Sequence, residues 1–367
     1  MLTGIIVSVL FLVGCGLVFS ALLLLAERRI LRYGPCAIEI NDGKKTLEVD
    51  GGGTLLAALA ENDIFIPSAC GGRGTCAYCK VRVLEGGGTI GPVEAPYLSP
   101  AETKENVRLS CQVKVRGNMR IAIPESLFSI RRFRGHVEHK RPLTRDIVEV
   151  RIALDDPAEM PFVAGQYIQL ESQPYRGRES VMRAYSVSSP PSDTRAVETV
   201  IRLVPDGICT TWVFEILREG DSVQFSGPYG EFRLSDSDRP CLFIAGGSGM
   251  APIWSMLRDM KEKRSRRSAV YFFGALTQAD LFYTEPLRQL EKELPDFRYV
   301  PALSREPPES DWSGERGMIT DVLARRIPDM AEYEAYLCGS PGMIDAAIKV
   351  LQSGGIPPDR IFYDKFA

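Results

Sequence analysis

The stretch SACGGRGTCAYCKV, residues 68–81, places three cysteines in a glycine-rich loop. Cysteines at this density form disulfides, bind zinc or hold an iron–sulfur cluster. A fourth cysteine follows in NVRLSCQVKV, where alternating apolar residues predict a strand that contains it. The candidate ligands are therefore Cys70, Cys76, Cys79 and Cys111.

The spacing of these cysteines is C-x5-C-x2-C-x31-C. Zinc ribbons bring their thiolates as two separated C-x2-C pairs. Three thiolates on one loop and a fourth far along the chain are typical of a [2Fe–2S] cluster, although plant-type ferredoxins have a loop one residue shorter. Gly71, Gly72 and Gly74 would let the backbone wrap round a small anionic core. The loop therefore predicts a one-electron carrier.

The N-terminus predicts a membrane anchor. Residues 2–26 carry no charge, and a helix of that length spans about 37 Å, more than a hydrocarbon core of about 30 Å. A cleaved signal peptide would begin with its bases, whereas here Arg28, Arg29 and Arg32 follow the apolar run. Bases favour the cytoplasmic side. We expect residues 1–33 to form a single-pass anchor in the inner (cytoplasmic) membrane. Residues 2–26 would contact lipid, and the other domains would lie in the cytoplasm.

Composition excludes several functions. The 367 residues carry a net charge of -3, so no basic surface for nucleic acid is expected. His136 and His139 are the two histidines, which leaves histidine-based catalysis poorly supplied. Three apart on a strand, they would face opposite sides, and a surface role is expected. Because cytoplasmic thiols stay reduced, metal binding is favoured over disulfides for the cysteine loop.

The sequence after the anchor divides into three expected domains, over residues 34–127, 128–236 and 237–367. The first, with short strands, one helix and the cysteine loop, resembles the β-grasp (α+β) ferredoxin fold. The second alternates short strands with Gly and Pro turns, which predicts an antiparallel β-barrel. The third alternates strands with helices, one of them across residues 279–294, which predicts an α/β domain with a parallel sheet.

Three short motifs stand in the second and third domains. RAYSVSS begins at Arg183 on a predicted strand, and GICTTW begins at Gly207 and opens a helix. Free N–H groups at a helix start can bind a pyrophosphate. CLFIAGGSGMAP places a glycine-rich turn, residues 246–249, between an apolar strand and a helix, where a dinucleotide phosphate can approach the backbone. The turn departs from G-x-G-x-x-G and is a weak signal by itself.

These motifs, with Cys338-Gly339-Ser340-Pro341 and the aromatic Phe366 near the C-terminus, resemble the ferredoxin–NADP reductase superfamily. A membrane helix and a ferredoxin domain in front of such a reductase resemble the F-subunit family of the Na⁺-translocating NADH:quinone oxidoreductases. The resemblance lies in the order of the parts along the whole chain. It implies a [2Fe–2S] cluster, FAD and NADH as cofactors, and integral-membrane subunits of a quinone-reducing complex as partners.

The resemblance also implies roles for individual residues. At the flavin, Arg183 would pair with the FAD pyrophosphate, Tyr185 would pack on the isoalloxazine and Ser186 would hydrogen-bond flavin N5. The helix start would contact the pyrophosphate through Gly207, Cys209 and Thr210, although Cys209 could equally be core. At the dinucleotide, the residues implied are Gly246, Gly247, Gly249, Cys338 and Gly339. Cys338 would lie beside the nicotinamide, or be a buried core residue, and Phe366 would shield the flavin.

The choice between NADH and NADPH depends on the adenosine 2′ position. Asp280 would accept a hydrogen bond from a ribose hydroxyl and repel a phosphate, or would only cap the following helix. Ser304 and Arg305 would instead accept a 2′-phosphate. The resemblance to the F-subunit family favours NADH.

The sequence therefore predicts electron flow from NADH to FAD to the cluster and on to a membrane partner. Two alternatives remain open: a membrane-anchored reductase for an oxygenase or another redox protein, and a non-catalytic iron–sulfur carrier. The direct connection LVPDGICTT lacks the proline-rich insertion usual in the F-subunit family and is like that of soluble oxygenase reductases. The glycines of the 246–249 turn and the Cys338 motif argue against the carrier.

Overall fold

The computed structural model describes residues 11–20, 33–68 and 70–365, and residues 11–20 form an exposed helix. No helix within these ranges is long and apolar enough to cross a membrane. Most of the expected anchor, including Arg28, Arg29 and Arg32, lies outside the described residues, as does Phe366.

The strands of the described chain are β1 (Pro35–Ile40), β2 (Lys45–Asp50), β3 (Lys80–Glu85), β4 (Val107–Leu109), β5 (Met119–Ala122), β6 (Arg131–Pro142), β7 (Ile147–Asp156), β8 (Tyr167–Glu171), β9 (Met182–Ser186), β10 (Ala196–Arg202), β11 (Ser222–Tyr229), β12 (Cys241–Gly246), β13 (Ala269–Ala275), β14 (Phe297–Leu303), β15 (Glu315–Arg316), β16 (Glu334–Gly339) and β17 (Ile361–Lys365). After the exposed N-terminal helix, the α-helices are α1 (Leu55–Glu61), α2 (Pro100–Lys104), α3 (Ile208–Thr211), α4 (Met250–Glu262), α5 (Thr284–Glu293), α6 (Ile319–Arg326) and α7 (Pro341–Ser353).

The chain forms two compact units. The first comprises residues up to Pro67 together with Gly72–Ser129, and the second comprises Ser68–Gly71 together with Ile130–Ala367. The second unit holds both a barrel and an α/β sheet, so these two parts of the chain fold against each other.

The first unit contains a five-stranded mixed sheet in the order β2-β1-β5-β3-β4. Strands β1 and β2 are joined by the predicted polar turn, whose four residues lie between the paired Ile40 and Lys45. Asn41, Asp42 and Gly43 in this turn have positive φ angles of 51°, 54° and 85°, a conformation that Asn, Asp and Gly adopt more readily than other residues. Helix α1 begins after Thr54, whose hydroxyl accepts a hydrogen bond from the N–H of Ala57 at 3.2 Å. Leu59 of this helix is fully buried in the core of the unit.

The strand predicted across NVRLSCQVKV is shorter than expected. Strand β4 ends at Leu109, and Cys111 lies in the turn that follows it. The N–H groups of Gln112 and Val113 both donate to the carbonyl of Leu109, at 2.8 and 3.2 Å. Because these bonds close a local turn, the backbone leaves the ladder, and the prediction that Cys111 is part of a strand was wrong.

The second unit begins with a six-stranded antiparallel sheet in the order β10-β7-β6-β11-β8-β9. A bridge between Val187 and Thr199 joins the end of β9 to β10 and brings the two sheet edges together. The interior is filled by apolar residues, including the stacked rings of Phe133 and Phe225 at 5.3 Å and the buried Trp212. The predicted barrel is therefore present.

The rest of the second unit is a parallel six-stranded sheet in the order β15-β14-β13-β12-β16-β17. The chain moves outward from β12 to β15 and then returns to the other side of β12 with β16. This reversal is a topological switch point, where α/β sheets bind ligands at the carboxyl ends of their strands. The ends of β12 and β16 carry the glycine turn and Cys338, so the predicted dinucleotide residues lie at this point.

The helix predicted across residues 279–294 is shorter than expected. Residues Gln278–Asp280 form a separate 3₁₀ turn, and α5 begins only at Thr284. Tyr283 has a left-handed conformation with φ 55°, which an α-helix cannot contain.

Candidate functional site

The structure brings Cys79 and Cys111 together. Cys79 lies directly before β3 and Cys111 follows β4, and the two strands pair antiparallel. Ser110 links the two positions because its N–H and Oγ both donate to the carbonyl of Cys79, at 2.8 and 2.9 Å. The hydrogen-bonded Cys111 thiol, together with burial, raises the pKa of the Cys79 thiol. The two sulfurs therefore share one buried site.

The glycines of the cysteine loop adopt backbone conformations that favour glycine over other residues. Gly71, Gly72 and Gly74 all have positive φ, between 65° and 84°. A Cβ on Gly72 would stand 3.9 Å from the Cβ of Cys111. Cys70 and Cys76 are half-buried in this loop. Within the ranges that the structure describes, no three or more metal-binding side chains form a ready-made metal site, so the four-cysteine ligand set remains a prediction.

One polar side chain beside the cysteines was missed by sequence reasoning. Nε2 of Gln112 donates a hydrogen bond to Sγ of Cys111 at 3.4 Å. A Cβ on Gly74 would approach this Nε2 to 2.8 Å, so glycine at 74 leaves room for the amide. A donor aimed at a ligand sulfur suits a thiolate that carries the negative charge of a cluster. The sequence feature that could have pointed to Gln112 is its position next to the candidate ligand Cys111.

Strand β9 brings the predicted flavin residues together. Arg183 and Tyr185 pair with Leu170 and Ile168 of β8, and the Arg183 guanidinium donates to the carbonyl of Met182 at 2.7 Å. Burial raises the pKa of Tyr185 well above its usual value. Its buried hydroxyl makes no hydrogen bond to nitrogen or oxygen among the described residues, and the weakly polar Cys209 thiol lies beside it. A buried hydroxyl without a strong partner leaves a polar group for a ligand to satisfy, which fits a flavin against this strand.

Cys209 lies beside the same strand. Burial raises the pKa of its thiol to about 11, against the opposing effects of the Tyr185 hydroxyl and the Arg183 charge. Its side chain is part of the barrel core. Arg183, Tyr185 and Cys209 thus lie close to one another, and the thiol is neutral at physiological pH.

The helix start at Gly207 is formed as predicted, but its side chains serve the fold. Gly207 caps α3 without a side-chain hydrogen bond. The Thr210 Oγ1 accepts a hydrogen bond from the N–H of Val204 at 3.2 Å, and its one proton is shared between the carbonyls of Val204 and Gly207, both at 3.3 Å. A π-helical turn, Trp212–Ile216, follows α3 directly. Any contact of this segment with a pyrophosphate would therefore use backbone N–H groups.

The dinucleotide turn lies against the end of β16. Gly247 has a positive φ of 56°, and a Cβ on Gly246 would stand 3.2 Å from the carbonyl oxygen of Gly274. A Cβ on Gly249 would overlap the carbonyl of Cys338. Glycines are thus required where the backbone makes its closest approaches, as in nucleotide-binding turns.

Cys338 is fully buried at the end of β16, opposite Ala245 of β12 and Asp364 of β17. Burial raises the pKa of its thiol well above the usual value, and the charge of Asp364 acts in the same direction. Cys338 is therefore a neutral thiol. Gly339, with φ 145°, follows it at the switch point.

The residues proposed to meet the adenosine 2′ position, Asp280 or Ser304 with Arg305, have different surroundings. The Asp280 carboxylate accepts hydrogen bonds from the N–H and the Oγ1 of Thr277, both at 2.9 Å. It thus caps the short 3₁₀ turn rather than α5. Ser304 donates to the carbonyl of Ala275 at 3.3 Å. Arg305 is exposed.

The two histidines lie on β6 and are half exposed. His136 contacts Asp155 at 2.9 Å, but His139 contacts the buried Glu149 at 3.1 Å. A β-bulge between Val137 and His139 interrupts the alternation, so spacing alone could not give the second partner.

Glu149 belongs to a group between barrel and α/β sheet that sequence reasoning missed. The Tyr283 hydroxyl donates to its carboxylate, and Arg141 lies 3.0 Å away. Burial would raise the pKa of Glu149, but the bonds from Tyr283 and His139 and the charge of Arg141 outweigh it and lower the pKa. Tyr283 stacks on Trp254 of α4 at 5.3 Å. No local sequence pattern connects residues so far apart.

Comparison with known protein families agrees with this architecture. Residues 38–116 match the 2Fe-2S iron-sulfur cluster binding domain, residues 134–234 the oxidoreductase FAD-binding domain and residues 243–349 the oxidoreductase NAD-binding domain. Among solved structures, the Amycolatopsis cytochrome P450 reductase GcoB matches with a TM-score of 0.74 and 29% identity, covering 90% of this chain and 98% of its own. The ferredoxin reductase of carbazole 1,9a-dioxygenase matches with a TM-score of 0.71 and 28% identity, covering 91% and 99%.

Fold and domain families define an iron–sulfur flavoprotein oxidoreductase of the ferredoxin–NADP reductase type, with [2Fe–2S], FAD and NAD domains in that order. Two relatives make the assignment narrower. The F subunit of the Na(+)-translocating NADH-quinone reductase of Histophilus somni is 35% identical over 95% of this chain and 96% of its own length. That of Pseudomonas aeruginosa is 36% identical over 94% of both. The chain belongs to this F-subunit family.

Proposed function

We propose that this protein oxidises NADH and passes the electrons through FAD and a [2Fe–2S] cluster to a membrane partner, as the electron-input component of a Na⁺-translocating NADH:quinone reductase. The observation that carries the proposal is the similarity to the F subunit of that enzyme along 95% of the chain. A flavin accepts the two electrons of a hydride and releases them singly, which connects NADH to a one-electron cluster. The protein supplies position and electrostatics.

On the flavin side, Arg183 would pair with the pyrophosphate as a guanidinium fork. Tyr185 would pack on the isoalloxazine and Ser186 would hydrogen-bond N5. The buried Tyr185 hydroxyl, which has no nitrogen or oxygen partner among the described residues, supports a ligand at this strand. Backbone N–H groups of Cys209 and Thr210 would contact the pyrophosphate, with Gly207, whose own N–H donates to the carbonyl of Val204 at 3.0 Å, at the helix start.

On the dinucleotide side, the Gly246–Gly249 turn would hold the phosphates and Cys338 with Gly339 would lie beside the nicotinamide. The tight approach of Gly249 to Cys338 supports this arrangement. Phe366, outside the described residues, would shield the flavin until NADH displaces it. Asp280 would favour NADH over NADPH at the ribose, against Ser304 and Arg305, which would accept a 2′-phosphate.

The cluster would be held by Cys70, Cys76, Cys79 and Cys111. The shared burial of Cys79 and Cys111 and the Gln112 donor support a sulfur-ligated, anionic group there. Residues 1–33 would anchor the protein in the inner membrane with the catalytic domains in the cytoplasm. The anchor would keep the cluster at a high effective concentration near its acceptor.

Co-purification from native membranes tests the partner. We expect the full chain to be isolated with integral-membrane subunits that reduce quinone, and the Δ1–33 chain to be soluble while still oxidising NADH with an artificial acceptor. A C-terminal reporter located in the periplasm would overturn the orientation, and isolation without membrane subunits would overturn the assignment to the complex.

A second function is a membrane-anchored reductase for an oxygenase. It is favoured by the similarity, over 90% and 91% of the chain, to a cytochrome P450 reductase and a dioxygenase ferredoxin reductase. The two functions share all cofactors and differ in the acceptor. Isolation with a soluble oxygenase in place of membrane subunits would favour this second function.

A further inference from the structure

Helix α4 connects the dinucleotide turn to the barrel. It begins at Met250, directly after the Gly247–Gly249 turn. In its second turn, the fully buried Ser255 donates a hydrogen bond from Oγ to the carbonyl of Ser189 at 2.7 Å. The helix that starts at the predicted NADH phosphates is thus bonded to the barrel through its side chains.

Ser189 lies just beyond β9, the strand that carries Arg183, Tyr185 and Ser186 and is called the flavin strand below. It lies three residues after Ser186, the last residue of β9. Its own Oγ accepts a hydrogen bond from the N–H of Glu198 at 3.2 Å, and the N–H of Ser188 donates to the carbonyl of Glu198 at 2.7 Å. This segment is therefore fixed to β10 and moves with the barrel.

A second contact lies one turn further along the helix. The Arg258 guanidinium pairs with the Glu198 carboxylate at 2.6 Å, with side-chain exposures of 28% and 13%. Glu198 also pairs with Arg151 at 3.0 Å. The Glu198 carboxylate therefore lies between an arginine of the barrel and an arginine of α4. Because both side chains are largely shielded from water, dissolved salt screens this ion pair less than it screens a pair on the surface.

We infer that Ser255 and Arg258 are positioning residues that set the separation between the flavin strand and the nicotinamide site. This inference rests on the proposed function. Hydride transfer needs reacting atoms about 3–3.5 Å apart, and a displacement of about 1 Å can cost on the order of 100-fold in rate. Ser255 and Arg258 bind residues of the barrel, Ser189 and Glu198, and act through the placement of α4.

The test is anaerobic stopped-flow reduction of the flavin in the full chain, with NADH and with NADH deuterated at the transferred position. Ser255→Ala and Arg258→Met are expected to lower the rate at saturating NADH by roughly 10- to 100-fold, with a primary isotope effect at least as large as that of the wild type. The NADH concentration at half-maximal rate, the FAD content and the Tm should remain close to wild type. Arg258→Lys should recover part of the rate.

Lys261→Met is the matched control. Lys261 lies on the same helix, and the substitution removes an ion pair with Glu293 at 2.7 Å that does not involve the barrel. It should reduce flavin at the wild-type rate. Wild-type rates in both Ser255→Ala and Arg258→Met would overturn the inference, as would a loss of rate matched by loss of FAD. If Ser255→Ala does not fold, Arg258→Met decides. A wild-type protein whose flavin is not reduced by NADH would instead overturn the proposed function, and this inference with it.

Discussion

A Cβ atom on Gly249 would overlap the backbone carbonyl of Cys338, so the dinucleotide turn reaches the end of β16 only with glycine at this position. Gly249→Ala would force one of the two segments to move, and such overpacking costs about 1–3 kcal/mol. We expect kcat/KM for NADH to fall by roughly 5- to 150-fold. Gly117→Ala, where the added Cβ meets nothing within 4 Å, should keep wild-type kinetics. Equal kinetics in the two variants would contradict the assignment of the turn.

The hydrogen bond from Gln112 to Cys111 Sγ predicts an effect on cluster potential. Donors to the sulfurs stabilise the reduced, more negative cluster. Gln112→Leu should lower the midpoint potential by roughly 20–60 mV, since one hydrogen bond contributes about 0.5–1.5 kcal/mol and 59 mV corresponds to about 1.4 kcal/mol for one electron. A redox titration followed by electron paramagnetic resonance measures it, with the FAD potential as internal control. An unchanged or raised cluster potential would show that the amide does not act on the cluster.

The buried Glu334 carboxylate should make the free energy of unfolding of the second unit depend on pH. Burial acts to raise its pKa, but hydrogen bonds from Ser235, Ser237, Tyr336 and Arg267 outweigh it and hold the pKa at about 2. Because the folded pKa is below that of the unfolded chain, this contribution is present above about pH 4.5 and is lost as the pH falls towards about 2.

Glu334→Ala should destabilise the second unit by roughly 3–5 kcal/mol at pH 7, since it leaves the buried Arg267 without its carboxylate partner. The difference from wild type should shrink as the pH falls from 4.5. Glu332→Ala, which removes an exposed carboxylate paired with Arg239 at 3.3 Å, should cost about 1 kcal/mol or less. Urea unfolding at several pH values measures both, and a pH-independent difference for Glu334→Ala would refute the linkage.

The preference for NADH or NADPH shows which residues meet the adenosine 2′ position: Asp280, which follows β13, or Ser304 and Arg305, which follow β14. We expect kcat/KM for NADH to exceed that for NADPH by more than about tenfold, or about 1.4 kcal/mol of transition-state binding. Arg305→Ala should leave that ratio unchanged. A preference for NADPH that Arg305→Ala removes would show that Ser304 and Arg305, rather than Asp280, meet the 2′ position.

Sequence alone predicted the parts of the fold that local patterns encode. Strand β2, the turn at Asn41 and Asp42 and the glycine turn after β12 follow from periodicity and backbone requirements. It failed at Cys111 and at the start of α5, where bonds to Leu109 and the left-handed Tyr283 override the pattern. Both features depend on the surrounding fold, which the spacing of apolar residues along the chain does not report.

The contacts between barrel and α/β sheet were outside the reach of sequence reasoning. Glu149 and Tyr283 are 134 residues apart, and Ser255 binds a backbone carbonyl, for which no residue type is diagnostic. The predicted flavin and dinucleotide residues could be proposed because the resemblance supplied their roles. The positioning contacts belong to no motif and are formed only by the folded chain.

Anaerobic addition of NADH to the full chain tests electron flow from NADH through FAD to the cluster. We predict that the flavin absorbance bleaches and that the electron paramagnetic resonance signal of a reduced [2Fe–2S] cluster follows. In Cys76→Ala the flavin should still bleach while the cluster signal is absent. A wild-type protein that contains zinc and no iron, or whose flavin bleaches without any cluster signal, would contradict the account.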